Sequence, residues 1–348
     1  MKYLFSLQTL IFFVVIFRYS IKNYLKIKLR TQTRMFINAI ASYLPEQVIT
    51  NAYFEELNGL TDEWITERTG IRERRKAAAQ ENTHTMAIEA VNNLKNVLPF
   101  DFSEFDLIIG ATYTPYDCIF TLGHAVQHHL NIADIPVVTI SSACSSLLNA
   151  VEIVEGYFAI NKATKALIVA SEHNTAYNNE DDTKAGHLWG DGAVALSISK
   201  TRITEADWEI KDVLTGGAAT VGKAKESVTL KPLEKGIVMP FGKDVFINAC
   251  TYMPKASLQV LERNNLTIND IKYIAPHQAN LRISKNVAAT LGVSDEVMLS
   301  NIQYLGNTGC AGCAIVLDEN KQKFVKGDKI IVTVFGGGYS YGAMLLEI

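Results

Sequence analysis

Cys144 stands in the run Ser141-Ser142-Ala143-Cys144-Ser145-Ser146. The apolar stretch Val137–Ile140 precedes it, and Leu147, Leu148, Val151, Val154, Tyr157 and Phe158 follow at helical spacing. A strand therefore leads in and a helix leads out. A thiol at a helix N-terminus feels the positive end of the dipole and unpaired N–H groups, which favour the nucleophilic thiolate. The small neighbours leave room for a substrate. A buried structural cysteine is the equal alternative on local context alone. His277, in Ala275-Pro276-His277-Gln278-Ala279-Asn280, sits between a strand and a helix, where loops present functional groups. Taken singly it reads as readily as a structural histidine. Asn307, in Leu305-Gly306-Asn307-Thr308-Gly309, has the form of a turn or a helix cap. Gly336-Gly337-Gly338 lets backbone N–H groups approach a reacting oxygen, or is only a turn.

Positioning these residues requires alternating strands and helices. Leu107–Ile109, Val137–Ile140, Ala166–Ala170 and Ala193–Ile198 read as strands, with Gly190-Asp191-Gly192 as a turn. The second half offers a helix over Val245–Leu261, a strand over Ile271–Ala275 and a helix over Leu281–Leu291. Helical character over Gly309–Glu319 and strands over Ile330–Phe335 and Tyr341–Leu346 complete it. This pattern predicts an α/β fold built from two related halves, 35–200 with the cysteine and 201–348 with the histidine and asparagine.

The 348 residues carry 33 basic and 36 acidic side chains, a net charge of −3, which gives no reason to expect a nucleic-acid partner. Five scattered cysteines do not form a disulfide framework and suit a reducing, cytoplasmic location. Residues 1–34 stand apart: Tyr3–Phe17 is mostly apolar and a basic stretch follows. A short anchor or signal-like leader, a membrane-surface arm, and a true translation start at Met35 are the competing readings, so membrane contact is expected only if this segment is translated.

In order and spacing these segments resemble one family, β-ketoacyl-acyl-carrier-protein synthase III, among the thiolase-fold condensing enzymes. The resemblance runs from Met35 to Ile348. It includes Ser42-Tyr43-Leu44-Pro45-Glu46, Asp62-Glu63-Trp64-Ile65, Arg68-Thr69-Gly70-Ile71-Arg72-Glu73-Arg74 and Trp189-Gly190-Asp191-Gly192-Ala193. His277-Gln278-Ala279-Asn280-Leu281-Arg282, Gly306-Asn307-Thr308 and Phe335-Gly336-Gly337-Gly338-Tyr339 continue it. The resemblance implies an α-β-α-β-α layered fold and a homodimer. It implies decarboxylative condensation of an acyl thioester primer with a malonyl thioester on acyl carrier protein, as in fatty-acid initiation, with no metal or redox cofactor. Cys144 would carry the acyl group, and His277 and Asn307 would stabilise the enolate. The backbone N–H groups of Cys144 and Gly337 would form the oxyanion hole. Trp64 and Arg68 match the mouth of the pantetheine tunnel, Asn280 its lining, and Arg282 the basic surface that meets the carrier.

Some positions depart from the family. No arginine lies near Thr183, where adenine of coenzyme A would stack, and Lys243 replaces an expected asparagine. The serines around Cys144 are unusually polar, and Ile119-Phe120 lacks a usual proline. These changes suggest acyl delivery on a carrier protein, or a specialised ketosynthase of the dialkylresorcinol type. A catalytically silent carrier-binding subunit is the alternative of another class. Cys310 and Cys313 read as packed thiols, His124, His128 and His129 as an exposed helix face, and Asp191 as a turn residue. Glu172 ends a buried strand, and contact with the pocket is its less ordinary reading.

Overall fold

A computed structural model describes residues 33–231, 234 and 236–348. The leader question thus falls on residues outside the described ones. Among the described residues no helix is long and apolar enough to cross a membrane. Arg34–Ile348 forms one compact unit.

The strands are β1 (Met35–Tyr43), β2 (Gln47–Thr50), β3 (Glu73–Lys76), β4 (Leu107–Ala111), β5 (Val137–Ile140), β6 (Lys165–Glu172), β7 (Gly192–Ser199), β8 (Trp208–Gly217), β9 (Thr229–Leu230), β10 (Ile237–Val238), β11 (Tyr273–Pro276), β12 (Lys329–Gly336) and β13 (Ser340–Glu347). Nine of them form a continuous sheet in the order β11-β12-β13-β8-β1-β7-β6-β4-β5. The strand directions repeat. β5, β4 and β6 are parallel, then β7 and β1 alternate. β11 and β12 are parallel, then β13 and β8 alternate. The two series touch through Met35–Ile37 of β1 against Trp208–Ile210 of β8. The arrangement is the layered thiolase-like α/β fold.

β4, β6 and β7 are apolar or small at nearly every position because both their faces are covered. Helices Thr83–Lys95 and Leu122–Leu130 pack on one outer face, and helices Gly242–Arg263 and Leu281–Leu291 on the other. Between the two series lie helices Ser146–Ala159 and Gly312–Asn320, whose residues Leu147, Val151, Phe158, Ile315 and Leu317 are buried in the central core. Against expectation, Gly309–Ala311 is a 3₁₀ turn and the helix begins only at Gly312. Gly309 holds a left-handed φ of 59°, which an α-helix does not accept.

The parallel topology gathers loops. The chain leaves β5, β4 and β6 at one edge with Cys144, Tyr113 and Glu172, and leaves β11 and β12 with His277 and Gly337. Loops at the carboxyl ends of neighbouring parallel strands converge, which makes this edge the natural place for a site.

Asp191 is more than the expected turn residue. Its buried carboxylate accepts hydrogen bonds from Ala77 N, Thr175 N and Thr175 Oγ1 at 2.5–2.9 Å. Beside it Gly190 N donates to Asn307 O at 3.0 Å, and Asn307 N donates to Leu188 O at 2.8 Å. A side chain at Gly190 would place its Cβ 2.0 Å from Leu305 O, inside van der Waals contact. Gly190→Ala is therefore expected to cost at least ~2 kcal/mol of stability, through a clash with backbone that cannot swing aside. Chemical denaturation checks this, and a variant of unchanged stability would contradict it.

Candidate active site

Cys144 sits in a tight turn between β5 and the Ser146–Ala159 helix. Ala143, with no glycine's freedom, holds φ 50°. Such backbone persists only where its surroundings fix it, and here four serines do so. Ser146 Oγ accepts from Ser142 N at 2.8 Å and donates to Ala143 O at 2.6 Å. Ser340 Oγ donates to Ser142 O at 2.8 Å, and Ser145 Oγ lies 2.7 Å from Ser340 Oγ. The polar residues around the cysteine thus hold its turn. Gly336 closes on the same turn: a Cβ there would lie 2.7 Å from Cys144 N.

Cys144, His277, Asn307 and Gly337 line one cavity of about 230 Å³. Val228, Leu230, Met239, Met253, Ile283 and Phe335 supply apolar wall. His277 and Asn307 are 4% and 3% exposed, so little water reaches either. Asn307 Oδ1 accepts from Gly309 N at 3.0 Å, which leaves its Nδ2–H₂ as the donor end. His277 is held by its main chain, N–H to Thr333 O at 2.8 Å, and Gln278 secures the loop through Pro276 O and Asn301 N.

Burial sets the protonation states. It lowers His277 to about 4, so the imidazole is neutral at pH 7. Burial and then the Glu172 carboxyl push the Cys144 thiol up to about 12. The expected thiolate-favouring effect of a helix end is outweighed, since the helix itself begins at Ser146, two residues beyond the sulfur. Glu172 is fully buried behind the cavity, raised to about 7 by burial, and accepts from Thr112 Oγ1, Thr114 Oγ1, Tyr113 N and Thr114 N. It acts on the thiol by charge without lining the cavity.

The remaining expected residues lie outside the cavity lining. The Arg68 guanidinium stacks on Trp64 at 4.3 Å, and Trp64 meets His187 edge-on. Asn280 is occupied as a brace, since its Oδ1 caps the Leu281–Leu291 helix at Arg282 N and its Nδ2 donates to Arg68 O at 3.1 Å. Ala279 and Ile283 line the wall where Asn280 was expected. Arg282 is exposed, above Phe246. Cys310 and Cys313 are buried free thiols, and His124, His128 and His129 lie on an exposed face, as the sequence predicts. Sequence reasoning missed Tyr113, which lines the cavity, and Arg74, a buried guanidinium bound to Asn51 Oδ1 and His187 O beneath the Leu188–Gly190 strand-like segment. An aromatic without a motif carries no sequence signal of that kind, and the motif that ends at Arg74 does not reveal that its guanidinium is buried.

Residues 138–219 match the family described as 3-oxoacyl-[acyl-carrier-protein (ACP)] synthase III, and residues 261–348 match its C-terminal part. The beta-ketoacyl-[acyl-carrier-protein] synthase III of Nitratidesulfovibrio vulgaris is 32% identical, over 89% of this chain and 98% of its own. The chain belongs to the β-ketoacyl-acyl-carrier-protein synthase III family. That of Clostridium perfringens is 33% identical over 88% of this chain and 97% of its own. The crystal structure of 3-oxoacyl-[acyl-carrier-protein] synthase III from Aquifex aeolicus superposes with a TM-score of 0.84 at 31% identity, over 90% of this chain and all of the other. Xanthomonas campestris OleA, at 15% identity and a TM-score of 0.82, shares the fold. These synthase III relatives favour the fatty-acid initiation reading over the dialkylresorcinol-type and silent-subunit alternatives.

In this family member the Glu172 charge opposes thiolate formation. Glu172→Gln is expected to lower the pH midpoint for alkylation of Cys144 by iodoacetamide by about one pH unit, a tenfold gain in thiolate below the midpoint. Peptide mass spectrometry of Cys144 reads it. An unmoved or raised midpoint would show that the carboxyl does not act on the sulfur.

Proposed function

We propose that Cys144, His277 and Asn307 carry out the family's decarboxylative condensation, and that their convergence on one cavity with Gly337 carries this reading. Cys144 sulfur bonds to the acyl carbon of a primer thioester, the carrier sulfur–carbon bond breaks, and the proton leaves on the carrier thiol. A malonyl thioester then loses carbon dioxide. Its electron pair moves into an enolate whose oxygen accepts hydrogen bonds from neutral His277 and from Asn307 Nδ2–H₂. The carbanion attacks the Cys144 thioester. The N–H groups of Cys144 and Gly337 hold the tetrahedral oxygen until the sulfur is expelled and a 3-oxoacyl thioester departs. Acyl thioesters are the substrates and no cofactor enters.

Trp64 and Arg68 form a stacked platform suited to the nucleotide or phosphate end of a carrier, braced by Asn280. Exposed Arg282 suits acidic carrier protein. Division at residues 35–200 and 201–348 is supported by the repeated strand directions. A homodimer across the β5 edge is supported by the exposed apolar side chains of Tyr116, Ile119 and Phe120 beside it. Free thiols throughout suit the cytoplasm.

Intact-protein mass spectrometry after acetyl-coenzyme A or acyl-carrier primer, with decarboxylation of malonyl-carrier protein measured separately, tests the roles. Cys144→Ala is expected to gain no acyl mass yet to decarboxylate. His277→Ala and Asn307→Ala are expected to load but to decarboxylate ~100-fold more slowly. Acyl mass on Cys144→Ala, or full decarboxylation by His277→Ala, would overturn the assignment.

A further inference from the structure

The least explained group in the cavity is Tyr113. Its ring lines the cavity, while its hydroxyl is buried and has no hydrogen-bond partner among the described residues. An unmade hydrogen bond on a buried hydroxyl costs about 1–3 kcal/mol, so the group is expected to find its partner in another state of the site. The tyrosine and the Cys144 thiol line the same cavity. A neutral thiol is a weak acceptor, whereas a thiolate is a strong one.

The tyrosine's place is built. Gly309 lies under it: a Cβ there would meet Tyr113 Oη at 2.6 Å and Cε1 at 3.0 Å. Tyr113 N–H is held by Glu172 at 3.2 Å. Burial keeps the phenol protonated, so it remains a donor across the working pH range. The same carboxyl that anchors the tyrosine backbone opposes negative charge on the sulfur. The hydroxyl and the carboxyl both border Gly309, and a donor beside that carboxyl offsets its opposition.

We propose that Tyr113 is a positioning residue for the nucleophile, its hydroxyl donating a hydrogen bond to the Cys144 sulfur as negative charge develops there during acyl loading. The tyrosine transfers no proton. It lowers the energy of the thiolate while the sulfur–acyl bond forms, and is released when the sulfur becomes a neutral thioester. The inference rests on Cys144 being the nucleophile. Alkylation by iodoacetamide requires no thioester and no carrier, so its result stands apart from whether the condensation reading holds.

The test is Tyr113→Phe in the full chain, which removes one oxygen and keeps the ring on Gly309. The rate of iodoacetamide alkylation of Cys144 at fixed pH between about 7 and 9, read by peptide mass spectrometry, is expected to fall ~10-fold, and acyl loading near pH 7.5 with it. Malonyl-carrier decarboxylation, which needs no thiolate, is expected to stay within about twofold by the same reasoning. A thermal melt at or a few degrees above that of wild type would accompany this, since the change removes a buried hydroxyl with no partner among the described residues. An unchanged alkylation rate overturns the proposal. So does a loss of acyl loading without any fall in the alkylation rate, which would assign the hydroxyl to the acyl group instead.

Discussion

Exclusion of water from the cavity around Cys144 governs everything else the site does. An apolar wall of Val228, Leu230, Met239, Met253, Ile283 and Phe335 encloses a thiol, an imidazole and a carboxamide. In water the imidazole would titrate near neutrality, and in this cavity it is held neutral down to about 4. The thiol is pushed the opposite way. Both shifts have the same leading cause, the cost of placing charge where little solvent answers it, and Glu172 adds to that of the thiol. A resting site without charge on these groups is well matched to an enolate. Neutral donors fixed in a dry cavity stabilise transient negative charge strongly because they need no reorganisation when it appears.

Such donors are useful only if fixed, and the fixing is done by main-chain contacts that tolerate no side chain. Gly336 closes against Cys144 N, and Gly190 against Leu305 O, while the segment Leu188–Gly190 exchanges hydrogen bonds with Asn307. The first contact ties the histidine-bearing series of strands to the cysteine turn. The second sets Asn307 against the loop that Arg74 supports from below. The serine network around Ala143 does the same for the strained turn. Packing and chemistry are therefore one arrangement, and loss of a glycine far from the sulfur is felt at the sulfur.

The sequence reveals this unevenly. Alternating apolar runs place most strands within a residue or two, because buried parallel strands are continuous apolar segments. Cys144, His277 and Asn307 become legible together, through motifs in a fixed order, and not singly. Left-handed backbone at Ala143 is hidden because nothing marks an alanine for it, unlike the glycines of the turns. Glu172 is hidden because a carboxylate at a strand end has no spacing relation to the cysteine; only the parallel pairing of β4, β5 and β6 brings them together. Local sequence points the wrong way on the acidity of Cys144 because the helix end is a local feature, while desolvation and Glu172 are tertiary ones. Asn280 has a role its motif does not show: its amide oxygen caps the Leu281–Leu291 helix and its amide nitrogen braces Arg68 O.

The most direct test of a site run by neutral donors is a pH titration of the His277 ring by NMR, with ¹³C-labelled histidine and His277→Ala to assign the signal. The account predicts that the His277 resonance keeps its neutral position from pH 8 to pH 5, with protonation only near the value of about 4 set by burial. A midpoint between pH 6 and 7, near the ordinary value for histidine, would contradict it, because the imidazole would then be exposed to water and the enolate would face a wet, partly charged site.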